Sequence, residues 1–211
     1  AGAPINTEVT LGSAIWADWV VSWDLGHHLF PETEDSPLFV PLGDGYPTTF
    51  ALNGRLLDLA VAATQDMTLQ DSAEAVEGRN LYQQQVGKKP TVGVGANVSG
   101  DDFWVGAELA EVAQWIVEHH TEGQAFFATS AMEDQGDATA LARWDMLGHY
   151  ASLRTVSNYV QPPAGMTSEE KIDQEKFHGG PVAFANAYAV TAQFIAFVLD
   201  NPGAVREALA D

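Results

Sequence analysis

The sequence predicts an all-α fold: a single globular domain, residues 1–211, of seven to nine helices around a central apolar helix at about 181–199. Three observations predict it. Apolar residues recur at helical spacing along most of the chain. The segment from Pro181 to Leu199 carries no charged side chain. Glycines and prolines fall between the periodic runs, where helices stop.

The elements follow in chain order. From Ser13 to Leu25 a first helix would set Ile15, Trp16, Trp19, Val20 and Trp23 on one face and stop at Gly26. Prolines 31, 37, 41 and 47 break any regular element, so 27–47 reads as an extended loop packed over the body. Thr48 or Thr49 can cap a second helix reaching about Thr64, presenting Phe50, Leu52, Leu56, Leu57, Leu59 and Val61. A third runs from about Thr68 to Val86 and closes at Gly87-Lys88-Lys89-Pro90. TVGVGANVSG alternates valine with small residues and fits a short strand or a loop.

Ser99 with Asp102 resembles a cap for a fourth helix, to His120. A fifth spans about Gly123 to Glu133, and a sixth runs from Asp137 to Tyr159, stopped by Pro162-Pro163. Thr167 and Glu170 form a capping box for a short helix ending at Gly179-Gly180. The apolar helix follows, and Asn201-Pro202 opens a last one to Ala210.

Composition limits the partners. Twenty-nine acidic residues face nine basic ones, a formal charge of -20. So few lysines and arginines exclude a nucleic-acid binder, since phosphate binding works by displacing counterions. Anionic membrane surfaces are repelled as well, and cations or basic protein surfaces are attracted. The chain has no cysteine, which removes disulfides, thiol catalysis and zinc–thiolate sites. Polar Asn186, Tyr188, Thr191 and Gln193 argue against 181–199 as a membrane span. The small opening residues Ala1-Gly2-Ala3-Pro4 suggest an exported or organelle-lumenal protein.

No nucleophile elbow or phosphate-binding glycine loop occurs. Glu175 and His178 form a Glu-x-x-His motif, a candidate metal pair, although a carboxylate-bridged dimetal bundle needs two such motifs. Tryptophans 16, 19, 23 and 115 are candidates for stacking on a flat apolar ligand, beside alanine-rich stretches that leave room for one. Ordinary core packing explains the same residues.

Several short segments resemble the peridinin–chlorophyll proteins of dinoflagellates. LGSAIWADWVVSWD is similar to that family's opening helix, Asp66 with Ala73-Glu74-Ala75 to its next segment, and Val98-Ser99 with Asp102-Phe103 to the start of the helix after. The likeness covers roughly residues 11 to 116. It implies a soluble antenna of the thylakoid lumen that holds chlorophyll or carotenoid. The family's histidine pair is replaced here by Val76 and Glu77, so no pigment ligand carries over.

The expected function is therefore a non-catalytic soluble helical subunit that docks on a larger assembly, photosynthetic or associated with an apolar small molecule. Three alternatives stand beside it: a pigment-binding light-harvesting protein, a carboxylate/histidine metal-dependent enzyme, and an acidic surface or structural protein of a halophile.

Overall fold

The computed structural model describes residues 1–30, 33, 36–43, 47–173 and 177–210. The elements in order are β1 (Gly2–Ala3), β2 (Ala14–Ser22), β3 (Gly26–His28), β4 (Phe39–Pro41), β5 (Thr49–Ala51), α1 (Gly54–Thr64), α2 (Ala73–Asn80), β6 (Val92–Ser99), α3 (Ala107–His120), β7 (Phe127–Ala131), α4 (Asp134–Arg143), β8 (Leu153–Thr155), β9 (Asn158–Tyr159), α5 (Ser168–Asp173), α6 (Gly180–Asp200) and α7 (Pro202–Leu209). Seven strands form one mixed sheet in the order β5-β2-β6-β7-β1-β9, with β8 also paired to β2. Strands β2, β6 and β7 run parallel at its centre. β5 and β8 lie antiparallel to β2, and β1 runs antiparallel to β7 and parallel to β9.

The all-α expectation is thus wrong, and β2 shows why. The pairing of Ala17 with Gly95 and of Val20 with Asn97 leaves one extra residue in β2, a β-bulge. The bulge shifts the strand's alternation, so Ala17 and Val20, three apart, enter the same core cluster beside Phe50, Leu52 and Ala138. Three-residue spacing of buried positions is what a helix produces. In β6, Val92, Val94, Ala96 and Val98 alternate with Gly93, Gly95 and Asn97, and the strand runs at the sheet centre, Ala96 and Val98 being fully buried.

Other boundaries shift for related reasons. The fifth helix expected at 123–133 is β7, with Phe127 and Ala128 fully buried. The sixth stops at Arg143, and its expected second half holds β8 and β9. The fourth begins at Ala107 instead of Asp102, because Ser99 is engaged elsewhere: its Oγ accepts from the Gln135 amide at 3.0 Å. Within the proline-rich 27–47 segment, β3 and β4 pair as a two-stranded antiparallel ribbon. Residues 31, 32, 34, 35 and 44–46 of that segment lie outside the described residues.

Helix starts follow local chemistry. Asn53 Oδ1 accepts from the amides of Arg55 and Leu56 at 3.0 and 3.1 Å, capping α1. Thr167 and Glu170 make the reciprocal capping box of α5: the Thr167 amide donates to Glu170 Oε2 at 2.8 Å, and the Glu170 amide donates to Thr167 Oγ1 at 3.1 Å.

Helix α3 closes one core cluster, setting Ala113, Ile116 and Val117 against Val21, Val98 and Phe127. Each such large side chain contributes about 1.5–3 kcal/mol on burial. Helix α6 is not the central element the sequence suggests. It packs through Val182, Ala183, Asn186 and Val190 and leaves its other side in solvent. It is long and apolar enough to cross a membrane by length and composition, yet Asn186 on its buried side binds backbone, donating to Gly12 O and Gln70 O and accepting from the Gln70 amide.

Candidate functional site

Three parallel strands end together, and the carboxyl ends of such strands are where open α/β sheets place their ligands. After β2 comes Trp23-Asp24, after β6 Gly100-Asp101, and after β7 Met132-Glu133. The ends are tied by backbone bonds, the Trp23 amide donating to Ser99 O and the Gly100 amide to Ala131 O. The Asp24 carboxylate accepts from the Asp101 amide. Burial raises the Asp24 pKa, the Asp101 amide opposes the rise, and neighbouring Asp102 and Asp101 add to it.

Beneath these ends lies a buried polar cluster around Asp134, which has no exposed surface. Asn97 Nδ2 donates to its Oδ2 at 2.7 Å, and Tyr150 Oη and Ser152 Oγ both donate to its Oδ1, the former at 2.9 Å. The Arg154 guanidinium bridges Asp134 at 2.5 Å and Glu133 at 2.7 Å. Burial pushes the Arg154 pKa down, but Asp134 and Glu133 beside it outweigh that and raise it. Burial, then Asp134, push the Tyr150 hydroxyl well above the usual phenol range. The cluster fastens β6, β7, α4 and β8 to one another.

A cavity of about 590 Å³ opens between α2, the β9 segment and the start of α6. Tyr82, Asn158, Tyr159, Met166, Lys171 and His178 are among its lining. Tyr82 and Tyr159 meet edge to face with centroids 4.6 Å apart. Both hydroxyls are anchored, Tyr82 donating to Gln161 O at 2.9 Å and Tyr159 donating to Gln85 Oε1 at 3.1 Å. The Asn158 carboxamide is oriented by its neighbours: Ser157 Oγ donates to its Oδ1 at 2.9 Å, and its Nδ2 faces Tyr159 O at 3.4 Å. Gly78 admits the end of the cavity, since a Cβ there would lie 2.6 Å from His178 Cβ. The arrangement joins apolar and aromatic walls to one oriented amide, which both donates and accepts.

The tryptophans singled out by the sequence are dispersed. Trp16 is buried among α1 and α6, donating to Thr64 Oγ1 at 3.0 Å and meeting Phe194 edge-on. Trp19 packs at the margin of the α3 cluster, and Trp23 is buried within it, stacked on Trp104 at 4.9 Å. They share no helical face, because they stand on and after a bulged strand. Trp115 lies on α3, half-buried, stacked on His119 at 3.8 Å, and lines a second cavity of about 530 Å³. Of the metal pair, His178 lines the first cavity and Glu175 lies outside the described residues. Among the described residues no group of three or more His, Asp or Glu side chains is placed to hold a metal ion. The sequence reading missed Asn158, which it placed in the tail of a helix.

Comparison with known proteins places this geometry. A probable purine nucleoside permease of Schizosaccharomyces pombe is 21% identical over 186 residues, 85% of this chain and 53% of that protein. Among solved structures, the 5'-methylthioadenosine/S-adenosylhomocysteine nucleosidase of Neisseria meningitidis superposes with a TM-score of 0.53 at 18% identity, over 92% of this chain and 65% of that one. The Streptococcus pneumoniae enzyme of the same name gives 0.54 at 14%, over 92% and 65%. The futalosine hydrolase of Helicobacter pylori gives 0.51 at 15%, over 95% and 65%. These likenesses establish the fold. The chain spans about half the length of the curated relative and under two thirds of each of these structures.

These findings correct the resemblance to peridinin–chlorophyll proteins, and the docking-subunit and light-harvesting functions with it. The chlorophyll or carotenoid expectation rested on that resemblance alone. The carboxylate-bridged dimetal reading loses the helical bundle it required. The exported or thylakoid-lumen localisation is also corrected, since the matching family is one of purine nucleoside permeases. The family's name speaks for a small-molecule partner and says nothing of a protein one. The family profile for purine nucleoside permeases matches residues 3–205, and the chain belongs to that family.

Proposed function

We propose that this chain holds a purine nucleoside, with the base in the cavity between α2, β9 and α6. The observation that carries the reading is the oriented Asn158 carboxamide at the cavity lining. An asparagine amide can both donate to and accept from the edge of a purine, and a good bidentate pair contributes about 1–3 kcal/mol of discrimination. Tyr82 and Met166 offer apolar wall to the flat base. The volume, about 590 Å³, lies in the range of roughly 300–1,000 Å³ common for small-molecule sites. The names of the family and of the yeast relative supply the ligand class, and those of the structural neighbours belong to the same chemistry of purine nucleosides or their analogues.

An amide reads a base but has no proton to give to a departing purine. Glu77, Lys171 and His178 on the same lining can each carry a proton, so it is the permease family, as a carrier that holds its cargo, that favours binding over cleavage of the glycosidic bond. Calorimetric titration of the chain with inosine, adenosine and uridine tests it. Purine nucleosides should bind at one site and uridine should not, and Asn158→Ala should weaken purine binding roughly tenfold or more. Absence of purine binding, or equal binding by Asn158→Ala, would sink the reading. Release of free base during the titration would replace binding by hydrolysis.

A further inference from the structure

The second cavity, of about 530 Å³, lies between α3, the segment after β1 and the start of β7. Helix α3 supplies one wall through Glu111, Gln114, Trp115 and Glu118. At 3.6 residues per turn these four fall within about 100° of arc, and Trp115 stands one turn from each carboxylate. Phe126 adds a second ring to the lining. Among the described residues no lysine, arginine or histidine lines this cavity, in a chain of formal charge -20.

The wall is held in place by its neighbours. His119 stacks on Trp115 at 3.8 Å, and its Nδ1 lies 3.0 Å from Trp115 O. Gln114 Nε2 donates to Glu118 Oε1 at 2.6 Å, which fixes that carboxylate.

Gln161 is a second and independent feature. It is 8% exposed and lines the same cavity. Its Oε1 accepts from the Ile5 amide at 3.0 Å, which sets the carboxamide, and among the described residues its Nε2 has no partner. A buried donor left without an acceptor is costly, so this amide points to an oxygen supplied from the cavity.

We propose that this cavity binds a small organic cation that carries an oxygen acceptor close to its charge. The cation lies on the Trp115 ring between Glu111 and Glu118, and its oxygen accepts from Gln161 Nε2. A tryptophan face attracts a cation more strongly than the other rings do. The field of the whole chain raises the local concentration of cations at such a cleft.

The same residues exclude other occupants. An anion meets two carboxylates and no basic side chain. A neutral apolar molecule leaves the Gln161 amide without its acceptor. A bare metal ion needs oxygens converging within about 2.0–2.6 Å, whereas the backbones of Glu111 and Glu118 are two turns apart, about 10 Å along the helix. This inference does not depend on the nucleoside reading, since the two cavities share no lining residue.

Probes of similar size separate the contributions. Choline has the charge and the oxygen, tetramethylammonium has the charge alone, and 3,3-dimethylbutanol, the neutral carbon counterpart of choline, has the oxygen alone. In calorimetric titrations choline should bind at one site, tetramethylammonium about threefold or more weakly, and the alcohol about tenfold or more weakly. The double variant Glu111→Gln, Glu118→Gln and the single variant Trp115→Leu, with circular dichroism unchanged, should each weaken choline binding about tenfold. Added salt should weaken the binding of choline to the wild-type chain. Absence of choline binding, equal affinity for choline and the alcohol, equal affinity for choline and tetramethylammonium, or wild-type affinity in the double variant each overturns the proposal.

Discussion

Gly100 stands so close to Asp24 that a β-carbon on it would lie 2.5 Å from both carboxylate oxygens. The contact joins the ends of β2 and β6, where the Asp101 amide also donates to Asp24. No other residue type fits without moving the carboxylate, and its partner bond would go with it. Gly100→Ala should cost about 1–3 kcal/mol, as overpacking does. Urea unfolding should show a lower midpoint with an unchanged slope. An unshifted midpoint would mean that Asp24 turns aside freely.

Asp18 sits at the β2 bulge with its Oδ1 buried and without a hydrogen-bond partner. Burial raises its pKa above the ordinary 3.8, and the amides of Trp19 and Asp18 oppose the rise only in part. The folded chain therefore holds this proton more tightly than the unfolded chain. Its stabilising share is complete below 3.8 and is lost as pH rises through the raised folded pKa. Asp18→Asn should therefore stabilise the protein at pH 7, by about 1 kcal/mol for a partly solvated group. The gain should vanish near pH 3. Thermal unfolding of both proteins across that range decides it, and a gain independent of pH would exclude ionisation as the cause.

The strands show what the sequence could reveal and what it concealed. Polar signals that act locally were legible: Thr167 with Glu170 marks the start of α5, and Asn201-Pro202 the start of α7. The α-helical parts of the chain were found wherever their stop signals stand close by, as at His120. Fold class was not legible because it depends on pairing at long range. The extra residue in β2 gave Ala17 and Val20 a helical separation, and only the register against Gly95 and Asn97 exposes it. In the same way nothing near Asn158 announces that Gly2 pairs beside it, so a cavity residue read as part of a helix. The alternating SLRTVSNYV, rich in β-branched residues, was the available signal. Trp115 stands on a helix, as its spacing predicts, but its cavity is made by β7 and by the segment after β1, which no local pattern brings to it.

Asp134 accepts from the side chains of Asn97, Tyr150 and Ser152 at once and faces Arg154 with no exposure of its own. Asp134→Ala would leave the Arg154 guanidinium with only the exposed Glu133, and Asn97, Tyr150 and Ser152 without their acceptor. Breaking a buried pair in this way costs about 3–5 kcal/mol. The double variant Asp134→Ala, Arg154→Met should recover part of that loss, because the stranded cation is gone. Chemical denaturation of the two variants measures the difference. If the double variant is less stable by the full sum of its parts, the pair is not coupled.

Gly78 holds α2 against the start of α6, and its role reaches the proposed nucleoside cavity. A β-carbon there would meet His178 Cβ at 2.6 Å, an atom next to the backbone, and Leu11 Cδ1 at 2.7 Å, a terminal methyl held by its burial. The helix would have to move outward, carrying Tyr82 away from Tyr159. Gly78→Ala gains helix propensity of about 1 kcal/mol, so a net loss of stability would show that packing outweighs it. Hydrogen exchange should then quicken in α2 while α3, on its separate core cluster, keeps its protection. Purine nucleoside affinity should fall with the opening of that wall. A variant that is stabilised, with α2 as protected as before, would mean that His178 yields and that the cavity keeps its shape without the glycine.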